Sequence, residues 1–255
     1  MKKILNVSKL EKYYGKGQNI TKALDGVSFS IDEGEFVGIM GPSGSGKTTL
    51  LNCISTIDRP TAGSIKIEEV ELSSLKRDNL QKFRRESLGF IFQDFNLLDT
   101  LTGYENISLP LSILNTKSSE IDYRVKQTAR LLEIENVIDK FPYQLSGGEQ
   151  QRVAAARALI TKPSIVLADE PTGALDSKAS RLLLERLEEL NKTMATTIMM
   201  VTHDAFTASY AKRILFIKDG KIFNELIKGS KSRKEFFEDI LAVMTLLGGD
   251  VENVF

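Results

Sequence analysis

The chain has 255 residues, enough to bury the core of one large domain or of a domain with a subdomain. Its 34 Lys and Arg residues balance 34 Asp and Glu residues, which argues against a nucleic-acid partner. No apolar run approaches the roughly 20 residues needed to cross a bilayer, residues 1–6 do not resemble a signal peptide, and the single cysteine excludes an internal disulfide. We therefore expect a cytoplasmic chain that reaches a membrane only by binding something in it.

Strand-like and glycine-rich segments dominate the first part of the chain. Apolar and polar residues alternate over 4–32 and 63–72, which predicts an antiparallel patch against the core. Between them, residues 35–40 predict a short strand and residues 49–54 predict a helix. These two are joined by Gly41-Pro42-Ser43-Gly44-Ser45-Gly46-Lys47-Thr48, which matches the phosphate-binding pattern G-x-x-x-x-G-K-[ST] in the strand–loop–helix setting that the pattern requires.

This loop predicts a nucleoside triphosphate site. Glycines allow the backbone to wrap around phosphates with its N–H groups pointing inward, and the N-terminus of the following helix adds partial positive charge. We expect Lys47 to reach the β- and γ-phosphates, Thr48 to offer its hydroxyl to Mg²⁺, and Thr49 to complete the nucleotide-binding segment. The sequence has no guanine-reading Asn-Lys-x-Asp motif, which favours ATP.

A polar residue follows the next apolar run. Gln93 ends the strand-like segment 88–92, so its amide is expected to contact the metal or the attacking water. Residues from about 95 to 158 are mostly helical by pattern and predict an inserted helical subdomain. The apolar residues that recur there at helical spacing include Ile121, Val125, Ala129 and Leu132.

A second glycine-rich turn, Leu145-Ser146-Gly147-Gly148-Glu149-Gln150, lies within that subdomain. Ser146 and Glu149 predict a capping box at the start of a helix. Gly147 and Gly148 leave the helix start without side chains, so a phosphate can approach its N–H groups as at a second anion site. If the two anion sites lie far apart in one fold, they can meet only across a dimer. Ser-x-x-Glu alone is more typical of an ordinary capped helix, and it is the two glycines and the accompanying motifs that favour an anion site.

Two acidic residues follow a strand that is predicted to be buried. Residues 164–168 predict a strand of a parallel sheet, and Asp169 and Glu170 stand at its C-terminal end, where ligands bind in open α/β sheets. Asp169 is expected on the metal side of the site, and Glu170 is expected to be the base that orients or activates the attacking water. Asp176 is expected to cap the next helix, to carry a signal across an interface, or to do both.

The only histidine also follows an apolar strand. His203 comes just after residues 197–201, a position from which it could sense and orient a γ-phosphate. A helix is predicted around residues 179–190, and a hairpin is predicted to turn at Asp219-Gly220.

The C-terminal segment is predicted to be an extension of the main domain. A basic run containing Lys228 and Lys234 precedes apolar residues that share one helical face. Such a helix can pack on its own domain or a dimer partner, or it can contact a membrane surface, and the pattern leaves both open. We therefore divide the chain into a nucleotide-binding domain, residues 1–229, and a C-terminal amphipathic helix, residues 230–255. The apolar face consists of Phe236, Ile240, Val243, Met244 and Leu247.

These motifs together resemble the nucleotide-binding subunit of ABC transporters. The resemblance covers nearly the whole chain in the family's order: the phosphate-binding loop, Gln93, residues 145–150, the acidic strand end and His203. It implies an α/β fold in which a P-loop NTPase core with a mostly parallel sheet carries an antiparallel β subdomain and an inserted helical subdomain. It also implies a head-to-tail dimer, with each ATP between one subunit's phosphate-binding loop and the other's Leu-Ser-Gly-Gly-Glu turn. By the same resemblance, Tyr14 stacks on adenine, with Tyr13 as the fallback.

Longer segments resemble a narrower group. Residues 92–102 and 169–178 look like the lipoprotein-release and macrolide-export transporters, and the Phe-Phe-x-Asp-Ile tail ending in Leu-Leu-Gly-Gly looks like bacitracin- and lantibiotic-resistance transporters of Gram-positive bacteria. This resemblance implies an ATPase at the inner face of the cell membrane that powers a permease conferring antimicrobial-peptide resistance, with residues 95–104 as the permease surface. The alternatives are an ATPase for lipoprotein release or another transporter, and a soluble ABC ATPase without transport. The sequence shows neither the second such domain nor the long coiled coil that soluble members usually carry.

Overall fold

The computed structural model describes residues 2–16 and 19–248 of the chain. Within these residues, ten strands form two sheets. In chain order, the strands are β1 (Lys3–Lys16), β2 (Asn19–Asp32), β3 (Phe36–Met40), β4 (Ala62–Ile67), β5 (Val70–Glu71), β6 (Leu88–Ile91), β7 (Ile165–Asp169), β8 (Ile198–Val201), β9 (Arg213–Lys218) and β10 (Lys221–Ile227).

The described residues also form eight α-helices. One of them, over residues 77–87, was not foreseen from the sequence, because most of the segment is charged and its only apolar residues are Leu80 and Phe83, which are half-buried. In chain order, the helices are α1 (Lys47–Ile54), α2 (Arg77–Ser87), α3 (Gly103–Ile113), α4 (Ser118–Leu131), α5 (Gly147–Leu159), α6 (Ser177–Met194), α7 (Ala205–Ala208) and α8 (Arg233–Gly248).

The larger sheet has six strands in the order β10-β9-β3-β8-β7-β6. All neighbours pair in parallel except β10, which forms the predicted hairpin with β9. Strands β3 and β8 consist entirely of buried residues, as expected for parallel strands that are covered on both faces. The predicted α/β core with a mostly parallel sheet is confirmed.

The smaller sheet is antiparallel, with the order β2-β1-β4-β5. Its buried residues form one cluster with those of α1 and with one face of β3, β7, β8 and β9. The sheet therefore covers α1 and the larger sheet from one side, which is the predicted antiparallel patch against the core.

Helices α3, α4 and α5 lie between β6 and β7 and form the predicted helical subdomain. Residues 95–102 at its start are not helical, and Phe95 and Asn96 have positive φ angles of 59° and 50°. Thr102 begins α3, because its hydroxyl accepts a hydrogen bond from the Glu105 N–H at 3.2 Å in a capping box. The buried contacts of the subdomain include Ile107, Leu111, Val125, Ala129, Leu132 and Val153.

Helix α8 packs on the body of its own chain. Phe236 and Ile240 are fully buried, in the cluster that also contains buried residues of α6 and β9. Arg233 at the start of α8 forms an ion pair with Glu188 of α6 at 2.8 Å. Of the two roles that the sequence left open, packing on its own domain is observed, and it occupies the apolar face that a membrane surface would need. Residues 249–255 of the predicted extension lie outside the described residues.

Over residues 2–16 and 19–248, none of the helices combines the length and the apolar character that crossing a bilayer requires.

Candidate nucleotide site

Four strand ends bring the predicted site residues together. The phosphate-binding loop follows β3, His203 follows β8, Asp169 and Glu170 stand at the end of β7, and Gln93 follows β6. These strands are successive parallel neighbours in the sheet, so their carboxyl ends lie along one edge. We call this the ligand edge. Strand order therefore brings together residues as far apart in sequence as Gly41 and His203.

The phosphate-binding loop is shaped by its glycines. Gly41 and Gly46 have φ angles of 156° and 105°, and a Cβ at these positions would lie 2.1 Å from the Ile217 carbonyl oxygen and 2.3 Å from the Ala23 carbonyl oxygen. Helix α1 starts after Gly46 without a side-chain cap, which leaves its first N–H groups to an anion. The Ser45 hydroxyl is buried and has no hydrogen-bond partner among the described residues. Both features fit a bound polyphosphate.

Lys47 lies in the loop and close to the two acids. Its Nζ donates to the carbonyl oxygens of Gly41 and Pro42, each at 2.8 Å. Burial lowers the pKa of Lys47, and the charges of Glu170 and Asp169 oppose that decrease. Burial also raises the pKa of Asp169, and the neighbouring charge of Glu170 adds to the increase. The ammonium group and both carboxylates are therefore electrostatic neighbours at the ligand edge.

Glu170 and His203 form a hydrogen-bonded pair. His203 Nδ1 lies 2.8 Å from Glu170 Oε1, and the two side chains are 72% and 17% exposed, so the carboxylate is shielded while the ring faces solvent. Glu170 has a φ angle of 45°, a conformation that costs free energy for a non-glycine residue and that clusters at functional sites. Its N–H donates to the Val201 carbonyl oxygen at 2.9 Å, which holds the residue against β8. The pair offers a proton acceptor beside the phosphate-binding loop.

Gln93 packs against the turn that follows β7. A Cβ on Gly173 would lie 2.9 Å from Gln93 Cδ, so the glycine leaves the space that the amide side chain occupies. Gly173 in turn donates its N–H to the Glu170 carbonyl oxygen at 2.9 Å. The amide therefore lies next to the turn that carries Glu170, and its contact with a metal ion or the attacking water stays a prediction.

Two residues of α5 that the sequence analysis did not assign to the site connect this helix to the ligand edge. Gln151 is fully buried, and its Nε2 donates to the carbonyl oxygens of Phe92 at 3.0 Å and Pro171 at 2.6 Å. Arg157 donates to the carbonyl oxygens of residues 95 and 96 at 2.9 and 2.5 Å. Helix α5 thus holds both the chain after β6 and the turn after β7. In the sequence, Gln151 and Arg157 stand out only as polar residues in a helix rich in Ala. That pattern does not show which groups they bind.

The predicted second anion site lies at the start of α5. Ser146 Oγ accepts from the Glu149 N–H at 3.4 Å, and Glu149 Oε2 accepts from the Ser146 N–H at 2.8 Å. These bonds confirm the predicted capping box, and the bonds from Ser146 lower the pKa of Glu149. Packing also requires a glycine at position 148, because a Cβ there would lie 2.7 Å from Ala179 Cβ. A Cβ on Gly147 would make only ordinary van der Waals contacts.

Asp176 caps α6. Its Oδ1 accepts from the N–H groups of Lys178 and Ala179 at 2.9 and 2.8 Å. The capping part of the prediction is confirmed, and the role at an interface stays a prediction.

The two predicted anion sites are separate within this chain. A cavity of about 590 Å³ at the phosphate-binding loop is lined by residues of that loop, by Glu170 and His203, and by Met244 and Leu247 of α8. Residues 145–150 do not line it. The contribution of α8 to this cavity was not predicted, because an apolar helical face does not show which part of the protein it packs against.

Tyr14, and not Tyr13, is linked to the helix after the loop. Partial burial and a hydrogen bond to Asp58 raise the pKa of Tyr14, while a hydrogen bond with Thr49 acts in the opposite direction. Tyr13 bonds instead to Glu11 at 2.6 Å, which raises the pKa of Tyr13 to about 12. The Tyr14 hydroxyl donates to Asp58 at 2.7 Å, and the Asp58 N–H donates to the Asn52 carbonyl oxygen of α1 at 3.0 Å, which favours Tyr14 over the fallback as the predicted stacking residue.

Comparison with known proteins agrees with this geometry. A family model described as ABC transporter matches residues 24–173. The chain is 52% identical over 250 residues to the bacitracin export ATP-binding protein BceA of Halalkalibacterium halodurans, covering 98% of each chain. It is also 52% identical over 254 residues to the ABC transporter ATP-binding protein YxdL of Bacillus subtilis, covering 100% of this chain and 98% of that protein. A solved dimer of the ATP-binding cassette MJ0796 of Methanocaldococcus jannaschii, bound to ADP and Pi, superposes with a TM-score of 0.79 at 43% identity and covers 88% of this chain and 98% of that one.

Proposed function

Because this chain belongs to the ABC transporter family, we propose that it is the ATPase subunit that powers a membrane permease protecting a bacterium from peptide antibiotics of the bacitracin type. The observation that carries the chemical part is the Glu170–His203 pair, 2.8 Å apart beside the phosphate-binding loop. A shielded carboxylate at that position can accept the proton of a water that attacks a γ-phosphate. His203 then orients the carboxylate and the phosphate.

The remaining site residues are proposed to bind and orient the nucleotide. The loop N–H groups, Lys47 and the start of α1 hold the phosphates. Asp169, Thr48 and Gln93 offer oxygen donors of the kind that Mg²⁺ prefers. Among the described residues no group of three or more His, Cys, Asp or Glu side chains is placed to hold a metal alone, so we infer that phosphate and water oxygens complete the shell. The ion would neutralise charge that develops on the phosphates during transfer.

The start of α5 is proposed to bind the nucleotide held by a second copy of this chain. Two observations support this: residues 145–150 lie outside the cavity of their own chain, and their capped helix end presents N–H groups to an anion. The relative MJ0796 has been solved as a dimer. A head-to-tail pair places each nucleotide between one chain's phosphate-binding loop and the other's residues 146–149, and lets Asp176 contact the same interface.

The transported substrate is proposed from the full-length likeness to BceA, whose name states bacitracin export. The likeness covers α8 as well as the catalytic core, because 98% of this chain is matched. An ATPase for lipoprotein release or for another transporter is the competing proposal. The location follows from the partner, since a chain that acts on a permease is held at the inner face of the cell membrane.

Deleting the coding sequence from its own bacterium tests the substrate. The deletion strain is expected to become several-fold more sensitive to bacitracin, measured as the minimal inhibitory concentration. Wild-type chain restores resistance, whereas Lys47→Ala does not, because the ammonium group that holds the phosphates is gone. Lys66→Ala, at an exposed position on β4, is the matched control and restores resistance. Unchanged sensitivity of the deletion strain to bacitracin and to lantibiotics, with ATPase activity intact in the purified chain, would favour the competing substrates.

An apolar groove beside residues 95–104 is proposed as the permease contact. The groove has a volume of about 370 Å³ and lies between α2, β6 and α3. Arg157, which holds residues 95 and 96, also lines it, so movement in the groove is passed to the chain that follows Gln93. The lining includes Arg84, Phe90, Phe92, Asn96, Leu109 and Ile113.

Ile113→Glu is expected to abolish co-purification of the permease while the purified chain keeps its ATPase activity. The side chain lines the groove and is 53% exposed, so a charge there disturbs a docked apolar segment but not the fold. Ile227→Glu, at a position on β10 that is 66% exposed, is the matched control and should retain the permease. Equal retention of the permease by both variants would remove the groove from the proposal.

A further inference from the structure

Asp58 joins three groups near the nucleotide site. Its Oδ2 accepts from the Tyr14 hydroxyl at 2.7 Å, and its Oδ1 accepts from Lys12 Nζ at 2.6 Å and from the Arg59 N–H at 2.8 Å. Its own N–H donates to the Asn52 carbonyl oxygen of α1 at 3.0 Å. Asp58 therefore ties β1 of the smaller sheet, through its carboxylate, to the helix that follows the phosphate-binding loop, through its backbone N–H.

Lys12 covers one face of the Tyr14 ring. Its Nζ lies 4.8 Å from the ring centroid, within the range of a cation–π contact, and also donates to the Arg59 carbonyl oxygen at 2.8 Å. The Lys12 side chain is only 12% exposed, whereas Tyr14 is 42% exposed. A cation on one face leaves the opposite face of the ring for a flat ligand.

The charges in this cluster stabilise one another. The hydrogen bond to Asp58 raises the pKa of Lys12. Burial alone would raise the pKa of Asp58, but the hydrogen bonds from Lys12, Tyr14 and the Arg59 N–H outweigh it and hold the pKa below its usual value. At neutral pH the carboxylate is therefore ionised and acts only as an acceptor, which fixes the Tyr14 hydroxyl as the donor.

We propose that Asp58 is a positioning residue for the adenine base of the bound nucleotide, acting through Tyr14 and Lys12. This inference rests on the proposed function and on the stacking of Tyr14 on adenine that the family resemblance implies. Asp58 holds the hydroxyl end of the ring and the ammonium group on its far face before the nucleotide arrives. The side chains of Tyr14 and Lys12 are therefore already ordered in the free protein. Ordering them does not reduce the affinity for the nucleotide. The phosphates are held by residues 41–49, so Asp58 contributes to binding of the base alone.

Isothermal titration of the full chain with ADP and with pyrophosphate, both in Mg²⁺, separates these contributions. Asp58→Ala is expected to weaken ADP binding about five- to tenfold and to change pyrophosphate binding less than about twofold, since only ADP carries the base. Tyr14→Ala removes the stacking surface and is expected to weaken ADP binding by about tenfold or more, again sparing pyrophosphate. In the double variant, loss of Asp58 is expected to add little, because its target is gone.

Two further variants keep the test independent of folding. Tyr14→Phe keeps the ring but cannot donate to Asp58, so it is expected to weaken ADP binding about threefold to fivefold without affecting pyrophosphate. Asp122→Ala is the matched control. Its carboxylate likewise lies near a tyrosine hydroxyl and an ammonium group, Tyr104 at 3.5 Å and Lys126 at 2.8 Å, but in the helical subdomain. It should leave both ligands unaffected.

The outcomes distinguish the inference from the function on which it rests. If Tyr14→Ala binds ADP normally, the stacking role that the resemblance implies for Tyr14 is wrong, and the role of Asp58 is wrong with it. If Tyr14→Ala weakens ADP binding but Asp58→Ala and Tyr14→Phe do not, the proposed function stands and the positioning role is overturned. Equal weakening of ADP and pyrophosphate by Asp58→Ala, with Tyr14→Phe unaffected, also overturns it, because it would show a general disturbance of the loop.

Discussion

Glu170→Gln lowers ATP turnover by at least about a hundredfold and leaves ATP affinity within about twofold of the wild type, because the amide keeps the shape of the side chain but cannot accept the proton of the attacking water. The bound ATP then persists, and two copies stay joined around it. Phosphate release, ATP binding and size-exclusion chromatography in ATP measure the three effects. The expected elution profile is a dimer in ATP and a monomer in ADP.

A surface carboxylate provides the control for this substitution. Glu189→Gln changes an exposed glutamate of α6 that pairs with neighbouring Arg186, so it should leave turnover and elution unchanged. Normal hydrolysis by the Glu170 variant would show that the base is another group, and the bonded partner His203 would be the first to test.

Ser146→Arg is expected to abolish ATP-driven dimerisation, tested in the Glu170→Gln background, while ADP affinity of the single chain stays within about twofold. The long charged side chain fills the helix end that is proposed to receive the partner's nucleotide. Residues 145–150 do not line the cavity of their own chain, so binding to one copy should not depend on them. Sedimentation in ATP and titration with ADP measure the two quantities.

Thr102→Arg is the matched control for Ser146→Arg. Thr102 also begins a helix with a capping box, so both variants lose a cap worth about 0.5–2 kcal/mol. If the Thr102 variant dimerises and the Ser146 variant does not, the effect belongs to the proposed interface and not to helix stability. Loss of ADP binding by the Ser146 variant would falsify the separation of the two anion sites.

Much of the site could be predicted because its parts are local. The phosphate-binding loop is a continuous pattern between a strand and a helix, so it could be recognised without the backbone of residues 23 and 217 that its glycines contact. The capping boxes and the Asp176 cap depend on residues two or three positions apart. Polar residues after apolar runs identified Gln93, Asp169, Glu170 and His203, because parallel strands end at one edge.

Contacts between distant segments could not be predicted. Gln151 and Arg157 reach carbonyl groups 59 to 62 positions upstream, and a carbonyl group leaves no mark in the sequence. Helix α2 was missed because only two apolar residues, Leu80 and Phe83, mark its half-buried face. The left-handed backbone of Glu170 is likewise imposed by its surroundings, since its residue type does not favour it.

The sequence by itself determined the family, the parallel core and the chemistry at each strand end, since these depend on short patterns and on the rule that parallel strands end together. Only the tertiary structure decided how that chemistry is supported. It placed Tyr14 and not Tyr13 against α1, gave Asp58 its three donors, and set the apolar end of α8 as a wall of the nucleotide cavity. Each of these features is a contact between side chains of different helices and strands. Such contacts depend on how the whole core packs and not on the sequence of any one segment.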